Sequence, residues 1–369
     1  MAADSPRPRL TPARADIRRA VRESLADLVP AAVPAAAASG RNAGDPSEEP
    51  RDSGGAAPGG GESPAFSTQG LVLVGLSGGP DSLALAAATA FEAPRAGLRA
   101  GAVIVDHGLQ ENSDAVAARA AEQATALGLE PVIVVRVEVG SAGGPEAAAR
   151  EARYAAIHEA ASASGAQAVL LGHTLDDQAE TVLLGLARGS GPASLMGMAP
   201  EAGLLSRPLL GIRRETTRQA CLDEGLEPWH DPHNSDPAYA RVRVRERVLP
   251  VLEAELGPGV AAALARTAEL LRQDEEAFTR MVEEVAEDIC EPAEAGIAVS
   301  VAALAANPSA VRQRVIRFVV SAEFGVSLSW SQTLDVARLV THWRGQGPID
   351  LPGMTARRDG PLLVFTAAS

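Results

Sequence analysis

Residues 71–82, with the sequence LVLVGLSGGPDS, restrict the fold more than any other part of the chain. Residues 71–76 form a short, branched and almost wholly apolar run, which predicts a strand covered on both faces in a parallel sheet. The adjacent Gly78 and Gly79 allow backbone conformations closed to other residues, and a helix is predicted directly after them. Strand, glycine turn and helix start together predict a cradle for an oxyanion.

A plain connection between a strand and a helix would also explain the two glycines. The hydroxyls of Ser77 and Ser82 and the carboxylate of Asp81 favour phosphate binding, because a carboxylate beside phosphates usually needs a metal or a base role. The turn, which also contains Pro80, lacks the ending of a Walker loop and the spacing of a dinucleotide fingerprint. It resembles the SGGxDS loop of the N-type ATP pyrophosphatase superfamily, also called the PP-loop superfamily. Enzymes of this superfamily split ATP between the α and β phosphates.

Strand and helix patterns alternate after the turn. Further strands are predicted at residues 102–105, 131–137 and 168–171, and helices at residues 113–127, 145–164 and 175–187. This succession predicts an α/β fold with a doubly wound parallel sheet, of the adenine nucleotide alpha hydrolase-like kind, and ligands at the carboxyl ends of its strands.

The composition divides the chain into four predicted parts. They are an N-terminal helix within residues 1–29, a disordered linker rich in Ala, Pro, Gly and Ser over residues 30–69, a catalytic domain over 70–250, and a mainly helical domain over 251–369. The last part ends in short strands predicted within residues 349–365, and we expect Trp330 and Trp343 in its core.

Charge and cysteine content exclude several kinds of chemistry. All 33 basic residues are arginine, so no catalytic lysine exists. Cys221 and Cys290 are too few and too far apart for a disulfide framework or a CxxC motif. The chain lacks a membrane-length apolar run and a signal-peptide pattern, which predicts a cytoplasmic protein with no membrane partner. The net charge of −14 is concentrated in residues 252–294, so a basic RNA-binding patch elsewhere is still possible.

Polar residues follow the second predicted strand. Asp106 and His107 end that strand near the cradle, and we give equal weight to nucleotide contact and to an ordinary loop role. Arg150 and Arg153, three positions apart on the following long helix, can clamp one anion or form a solvated, salt-bridged face.

The strongest second signal is residues 171–181, LGHTLDDQAET, at the end of another strand. His173, Asp176, Asp177 and Glu180 converge there within about two helical turns, as ligands of a hard cation or a protonatable amine would. Acids that merely cap a helix are the alternative, but this number of polar residues exceeds what a cap requires.

Two groups of arginines are candidates for contact with an anion or RNA. Arg188 precedes a glycine-rich turn and can close over a phosphate, or can simply end a helix. Arg241, Arg243, Arg245 and Arg247 alternate with other residues, which predicts one face of a strand and a basic patch, supplemented by Arg207, Arg213, Arg214 and Arg218. Clustered arginines on a solvated face are the equally weighted alternative.

The motifs SGGPDS, VDHGL, GHxxDDQxET and RGSGPxxLxGM together resemble the tRNA(Ile)-lysidine synthase family, from residue 71 to about residue 256. Residues 239–245, YARVRVR, are similar to the family's Y-x-R-N-x-x-R. Val242 stands where the family usually has Asn, so no contact from that side chain is expected.

The resemblance implies an ATP-dependent ligase that joins L-lysine to C2 of the wobble cytidine of tRNA(Ile) with a CAU anticodon. Residues 77–82, Asp106 and His107 would bind ATP, with Asp81 at Mg²⁺. Arg150 or Arg153 would stabilise the developing charge, and Asp177, Glu180 and His173 would handle the lysine amine. Arg188, Arg241, Arg243 and Arg245 would contact tRNA. The sequence leaves the oligomeric state open, and a homodimer is allowed.

Three other classes of protein share part of this pattern. A tRNA thiolase of the same superfamily generally needs more cysteines. A small-molecule amide ligase would not predict the RGSGP stretch or the appended helical domain. A non-catalytic nucleotide-binding module would leave the Asp177 and Glu180 cluster without a purpose.

Overall fold

The computed structural model describes residues 10–28, 69–108, 112–137, 145–189 and 191–368. The predicted linker lies outside these ranges except for its last residue, Gln69. The chain divides into two compact units. The first comprises Met1–Gly189 with Gly197–Ala265, and the second comprises Ser190–Met196 with Arg266–Ser369.

The sheet of the first unit has six strands in the order β3-β2-β1-β4-β6-β5. They are β1 (Leu71–Gly75), β2 (Arg99–Asp106), β3 (Val132–Arg136), β4 (Ala166–Leu171), β5 (Glu201–Ala202) and β6 (Leu205–Ser206). All neighbours are parallel except β5 and β6, which form a short antiparallel pair that the sequence did not predict. The predicted parallel α/β architecture is confirmed.

Strand β1 lies at the centre of this unit because both of its faces are apolar. Leu71 and Leu73 pack into one hydrophobic cluster, whereas Val72 and Val74 pack into another. All four side chains are buried, as a strand covered by helices on both sides requires. The turn after β1 is therefore carried on a rigid element.

Thirteen α-helices lie in the described ranges, and the long patterned ones match the sequence predictions closely. They are α1 (Pro12–Ala26), α2 (Pro80–Glu92), α3 (Ser113–Ala126), α4 (Pro145–Ser164), α5 (Leu175–Ala187), α6 (Pro192–Leu195), α7 (Arg214–Glu224), α8 (Ala240–Arg243), α9 (Leu249–Glu255), α10 (Val260–Ile289), α11 (Val301–Ala306), α12 (Ser309–Phe324) and α13 (Trp330–Thr341). A π-helical turn, Val244–Val248, joins α8 to α9.

Helix α1 begins three residues earlier than residue 15, the predicted start. The Thr11 hydroxyl caps the helix and Pro12 occupies its first turn, where a proline is well tolerated. Ile17, Val21 and Leu25 form its buried stripe. This stripe packs in the same core cluster as residues of α2 and α7, so the N-terminal helix is an integral part of the first unit.

The second unit has its own antiparallel sheet and its own core. The strand order is β7-β8-β11-β10-β9, formed by β7 (Cys290–Ala293), β8 (Gly296–Ser300), β9 (Ile349–Leu351), β10 (Met354–Asp359) and β11 (Leu362–Ala367). The strands predicted near the end of the chain are confirmed.

Both tryptophans that we expected in the core of the second unit are exposed, by 62% for Trp330 and 38% for Trp343. Trp330 is the first residue of α13. A side chain on a helix packs over the helical turn before it, and no helical turn precedes Trp330. Trp343 lies beyond the end of the same helix.

No single helix in the described ranges is long and apolar enough to cross a membrane. Residues 240–255 and 260–289 meet the length and composition criteria only when they are counted together across a bend of 99°.

Candidate active site

The turn after β1 has the backbone geometry of an anion cradle. Gly78 has a φ of +78°, a conformation that favours glycine, and Gly79 caps α2, whose first residue is Pro80. The Ser82 hydroxyl oxygen accepts a hydrogen bond from the Ser77 amide at 3.2 Å and lies 3.1 Å from the Ser77 hydroxyl. The free amides and positive end of α2 therefore face a turn that is held by its own hydroxyls.

The carboxyl end of β4 approaches this turn closely at Gly172. A Cβ atom on Gly172 would lie 3.0 Å from the carbonyl carbon of Asp81 and 3.0 Å from the amide nitrogen of Ser82. Only glycine leaves room for this contact without a backbone shift. The phosphate turn, residues 77–82, and the motif that follows β4 are thus in close backbone contact.

Asp81 is oriented by helix α7. Its carboxylate accepts a hydrogen bond from the Thr217 hydroxyl, and the other oxygen lies 3.6 Å from Nε of Arg214. Burial raises the pKa of Asp81, and the Thr217 hydrogen bond and the charge of Arg214 act in the opposite direction.

Asp177 has two structural tasks at the start of α5. It forms a capping box with Thr174, whose amide and hydroxyl donate to Asp177 Oδ2 at 2.8 and 2.7 Å. Its other oxygen, Oδ1, lies 2.7 Å from Nη2 of Arg214. Burial acts to raise the pKa of Asp177, but the charge of Arg214 and the Thr174 hydrogen bonds outweigh it and lower the pKa. The carboxylate is therefore ionised at neutral pH.

Glu180 lies one turn further along α5 and is fully buried, with 0% exposure. Arg245 binds both of its oxygens, with Nε–Oε1 at 2.7 Å and Nη2–Oε2 at 3.1 Å, and Arg214 Nη1 lies 3.1 Å from Oε1. Burial of a carboxylate costs free energy unless the group is paired, and the bidentate contact with Arg245 supplies the partner. Asp177 and Glu180 thus form one cluster with two arginines.

Asp176 does not join this cluster. Its carboxylate accepts from the backbone amide of Arg214 at 2.8 Å and pairs with the Arg213 guanidinium at 3.0 Å. The expectation that four polar residues converge is therefore wrong for Asp176. A residue one position before Asp177 points about 100° away around the helix, and Asp176 contacts the backbone of Arg214 instead of its guanidinium.

His173 is uncharged at neutral pH. Burial lowers its pKa to about 4, although the charge of Asp177 acts in the opposite direction. Its Nδ1 atom is buried and has no hydrogen-bond partner within the described residues. An unpaired, buried ring nitrogen beside a carboxylate is available to a ligand.

The end of β2 brings His107 and Arg153 together. Arg153 Nε donates to His107 Nε2 at 3.1 Å, so the neutral ring carries its proton on Nδ1. Asp106 accepts from the Gly108 amide at 2.9 Å. Burial acts to raise the pKa of Asp106, but this hydrogen bond and one from Ser113 outweigh burial and lower the pKa.

Arg150 and Arg153 have different partners although they share a helix. Arg150 Nη2 donates to the Tyr154 hydroxyl at 3.2 Å, and its guanidinium lies 4.9 Å from the centroid of the same ring. Both arginine side chains are exposed. They are therefore accessible to an anion.

The prediction that residues 241–247 form a strand is wrong, because they form α8 and the following π turn. Val242 and Leu249, seven residues apart, are both buried on one helical face. Leu249 packs with Ala179 of α5. Burial of this apolar stripe outweighs the alternation of arginines that suggested a strand. It also explains Val242, whose side chain needs no polar partner.

The arginines of this helix consequently point in different directions. Arg245 binds Glu180, Arg241 donates to the Thr181 hydroxyl at 3.3 Å, and Arg243 donates to the carbonyls of Pro237 and Ala238, both at 2.7 Å. Arg243 is exposed, as are Arg247 and Arg188, which follows α5. The single basic face expected from the sequence does not form.

Two residues of this site are not among the candidates that the sequence predicts for it. The sequence places Arg214 in a basic patch and indicates no role for Thr217, yet both contact Asp81. Charge balance is the signal that points to Arg214. Buried carboxylates at adjoining strand ends require cationic partners, and these partners must be arginines because lysine is absent from the chain.

Among the described residues, no group of three or more His, Cys, Asp and Glu side chains is arranged to hold a metal ion. Asp81 borders the cradle, which fits a cation held mainly by phosphate oxygens and by one or two carboxylates.

Comparison with known proteins gives two family matches. A PP-loop domain matches residues 62–252, and a TilS substrate binding domain matches residues 300–360. Over 296 residues the chain is 65% identical to the tRNA(Ile)-lysidine synthase of Leifsonia xyli, with 80% of this chain and 89% of that protein covered. The Thermobifida fusca tRNA(Ile)-lysidine synthase is 53% identical over 298 residues, covering 80% and 91%. A solved structure of the U34-tRNA thiolase NcsA from Methanococcus maripaludis matches with a TM-score of 0.47 and 18% identity, covering 57% and 75%.

Proposed function

This chain belongs to the tRNA(Ile)-lysidine synthase family, and from that premise we propose how its residues divide the reaction. The protein is an ATP-using ligase that forms lysidine on tRNA(Ile). The observation that carries the proposal is the contact of Arg214 with carboxylates on both sides of the site, Asp81 beside the phosphate turn and Asp177 with Glu180 on α5.

The first half of the reaction is activation of the cytidine. The C2 oxygen attacks the α phosphorus of ATP, the bond between the α phosphorus and the bridging oxygen breaks, and pyrophosphate leaves. Residues 77–82 bind the triphosphate through amides, hydroxyls and the positive end of α2. Mg²⁺, held by the phosphates and by Asp81, would neutralise phosphate charge.

The end of β2 contributes to the same half. We assign nucleotide contact to Asp106 and His107. The Nδ1 proton of His107 is a donor, and the hydrogen bond from Arg153 to Nε2 fixes this tautomer. Arg150 and Arg153 supply positive charge for the phosphate or the activated base, where negative charge develops.

The second half is attack by lysine. Free L-lysine binds with its ε-ammonium at Asp177 and Glu180 and passes one proton to the Asp177 carboxylate. The neutral nitrogen attacks C2, AMP leaves with the electron pair of the C–O bond, and the second proton of the attacking nitrogen goes to solvent. Asp177 is ionised and accepts the ammonium hydrogen bonds. His173 remains neutral and presents its unpaired Nδ1 beside that carboxylate.

For tRNA contact, we assign Arg188 and Arg243 to the RNA backbone because their side chains are exposed. Arg241 and Arg245, predicted with them from sequence, bind α5 side chains and act within the site. A cytoplasmic location follows from the same assignment of substrates, and a homodimer stays a prediction.

Sulfur transfer is disfavoured by the state of the two cysteines. Burial raises the pKa of Cys221 to about 12 and that of Cys290 to about 11. Neither thiol is a good thiolate at neutral pH, and a thiolase of this superfamily would depend on one.

The decisive measurement is pyrophosphate release from ATP, with a tRNA(Ile) transcript and lysine added separately and together, followed by mass spectrometry of the nucleosides. We expect release only with tRNA and lysidine only with both. Release that ignores tRNA would contradict the proposal, as would a requirement for glutamine or ammonia.

Asp177→Asn tests the amine half within the same assay. We expect lysidine formation to fall by about 100-fold, because the neutral amide cannot hold the ammonium. Asp114→Asn, at an exposed acid in the first turn of α3, is the matched control and should retain activity. Full activity of a folded Asp177→Asn protein would show that the assignment is wrong.

A further inference from the structure

Arg214 connects carboxylates that belong to different elements of the site. Its Nη2 lies 2.7 Å from Asp177 Oδ1, its Nη1 lies 3.1 Å from Glu180 Oε1, and its Nε lies 3.6 Å from Asp81 Oδ2. The side chain is only 11% exposed. Three nitrogen atoms of one guanidinium thus face three acids in the planar geometry of the arginine fork.

The backbone at this position is fixed as well. Asp176 Oδ2 accepts from the Arg214 amide at 2.8 Å, and Thr217, one turn further along α7, donates to Asp81. Arg245, by comparison, pairs with Asp177 and Glu180, which both belong to α5. Arg214 is therefore the ion-pair link between α5 and the phosphate turn.

We propose that Arg214 is a positioning residue that holds Asp81 and the Asp177–Glu180 pair in one fixed geometry, so that activation and amine attack occur at the same cytidine. This inference rests on the proposed function. It adds a residue that acts through three carboxylates, Asp81 at the Mg²⁺ position and Asp177 with Glu180 at the amine position.

The test compares Arg214→Gln and Arg214→Lys with Arg213→Gln in the full chain. Arg213 is the adjacent residue, is 48% exposed and pairs with Asp176 instead of with the three acids that Arg214 contacts, so it is a matched control. Two quantities are measured for each protein: the rate of tRNA-dependent pyrophosphate release without lysine, and the KM for lysine in lysidine formation.

For Arg214→Gln we expect pyrophosphate release to slow by about 100-fold, because a displacement of catalytic groups by about 1 Å costs that much. The KM for lysine should rise about tenfold, as the loss of one charge-assisted hydrogen bond predicts. Arg214→Lys should recover part of both losses, and Arg213→Gln should stay within about twofold of wild type.

A change in only one of the two quantities would overturn the inference, because a link between two halves must affect both. Losses that merely follow the folded fraction, measured by circular dichroism, would show a structural role. If Arg214→Gln does not fold, Arg214→Lys decides, and wild-type values for it in both assays would overturn the inference. Absence of lysidine from the wild-type protein would instead refute the proposed function.

Discussion

At the scale of single residues, the site works by pairing charges that burial would otherwise neutralise. Glu180 is fully buried and is held by two guanidinium groups, and Asp177 keeps a lowered pKa because Arg214 and Thr174 stabilise its charge. An amine substrate needs charged acceptors of this kind, since a neutral carboxyl would not hold an ammonium. Under the proposed function, these ion pairs prepare the two acids for the lysine amine.

His173 should make stability depend on pH. Its folded-state pKa of about 4 lies below the ordinary 6.5, so between these values the unfolded chain binds a proton that the folded chain does not. Stability should therefore fall as the pH falls through this window and be fully regained above it. The expected loss from pH 7.5 to pH 5 is on the order of 2 kcal/mol.

Urea unfolding of wild type and His173→Gln at pH 7.5 and pH 5 measures this loss of stability. The variant should lose less stability than wild type on acidification. His158→Gln, at an exposed histidine of α4, should behave like wild type. Equal pH dependence in wild type and His173→Gln would refute the assignment.

At the scale of secondary structure elements, the carboxyl ends of β1 and β4 bring the two halves of the site together. The pairing of these strands aligns Gly75 with Leu171, so the phosphate turn and the start of α5 are neighbours. Helix α7 completes the arrangement, and α1 fixes α7 through ion pairs of Arg14 and Arg18 with Glu224. The N-terminal helix thus supports the site without entering it.

Gly172→Ala should impair ATP binding, because the added Cβ would press on the backbone of Asp81 and Ser82 at 3.0 Å. We expect the KM for ATP to rise about tenfold, which corresponds to the cost of one overpacked contact. Steady-state rates of pyrophosphate release at varied ATP concentrations give this KM.

Gly211→Ala is the control for that substitution, since a Cβ there would meet nothing within 4 Å. It should leave the KM for ATP unchanged. An unchanged KM in Gly172→Ala would mean that the phosphate turn can move away from β4 at no cost to ATP binding.

At the scale of the whole molecule, the net charge of −14 limits how RNA can be held. We do not expect a general positive surface at this net charge, and we expect a few exposed arginines to supply the phosphate contacts. The affinity for tRNA should therefore depend on salt through a small number of contacts.

Arg243→Gln should weaken tRNA binding and reduce the salt dependence by the amount of one phosphate contact. The slope of log K against log salt concentration should decrease in magnitude by about 0.7 to 0.9. Filter binding from low to moderate salt measures it. Arg19→Gln, at an arginine of α1 that is 62% exposed, is the control. If both variants gave the wild-type slope, Arg243 would not contact a phosphate.

Local patterns in the sequence determined most of the secondary structure elements and motifs described above. The apolar run of β1, the glycine turn after it, the alternation of strands with helices and the acidic motif after β4 were all predictable, because each depends on periodicity or on backbone freedom over a few neighbouring residues. The final strands were predictable for the same reason. The segment 241–247 was not, because burial of Val242 and Leu249 outweighs its alternating arginines.

Only the tertiary structure decided which charges meet. Thr217 is 136 residues from Asp81 along the chain, and Arg245 is 65 residues from Glu180. No local pattern distinguishes Arg214, which binds three carboxylates, from Arg213, which binds one. Ion-pair partners depend on distances across the folded chain and on burial, and these exist only once the sheet has placed its strand ends side by side.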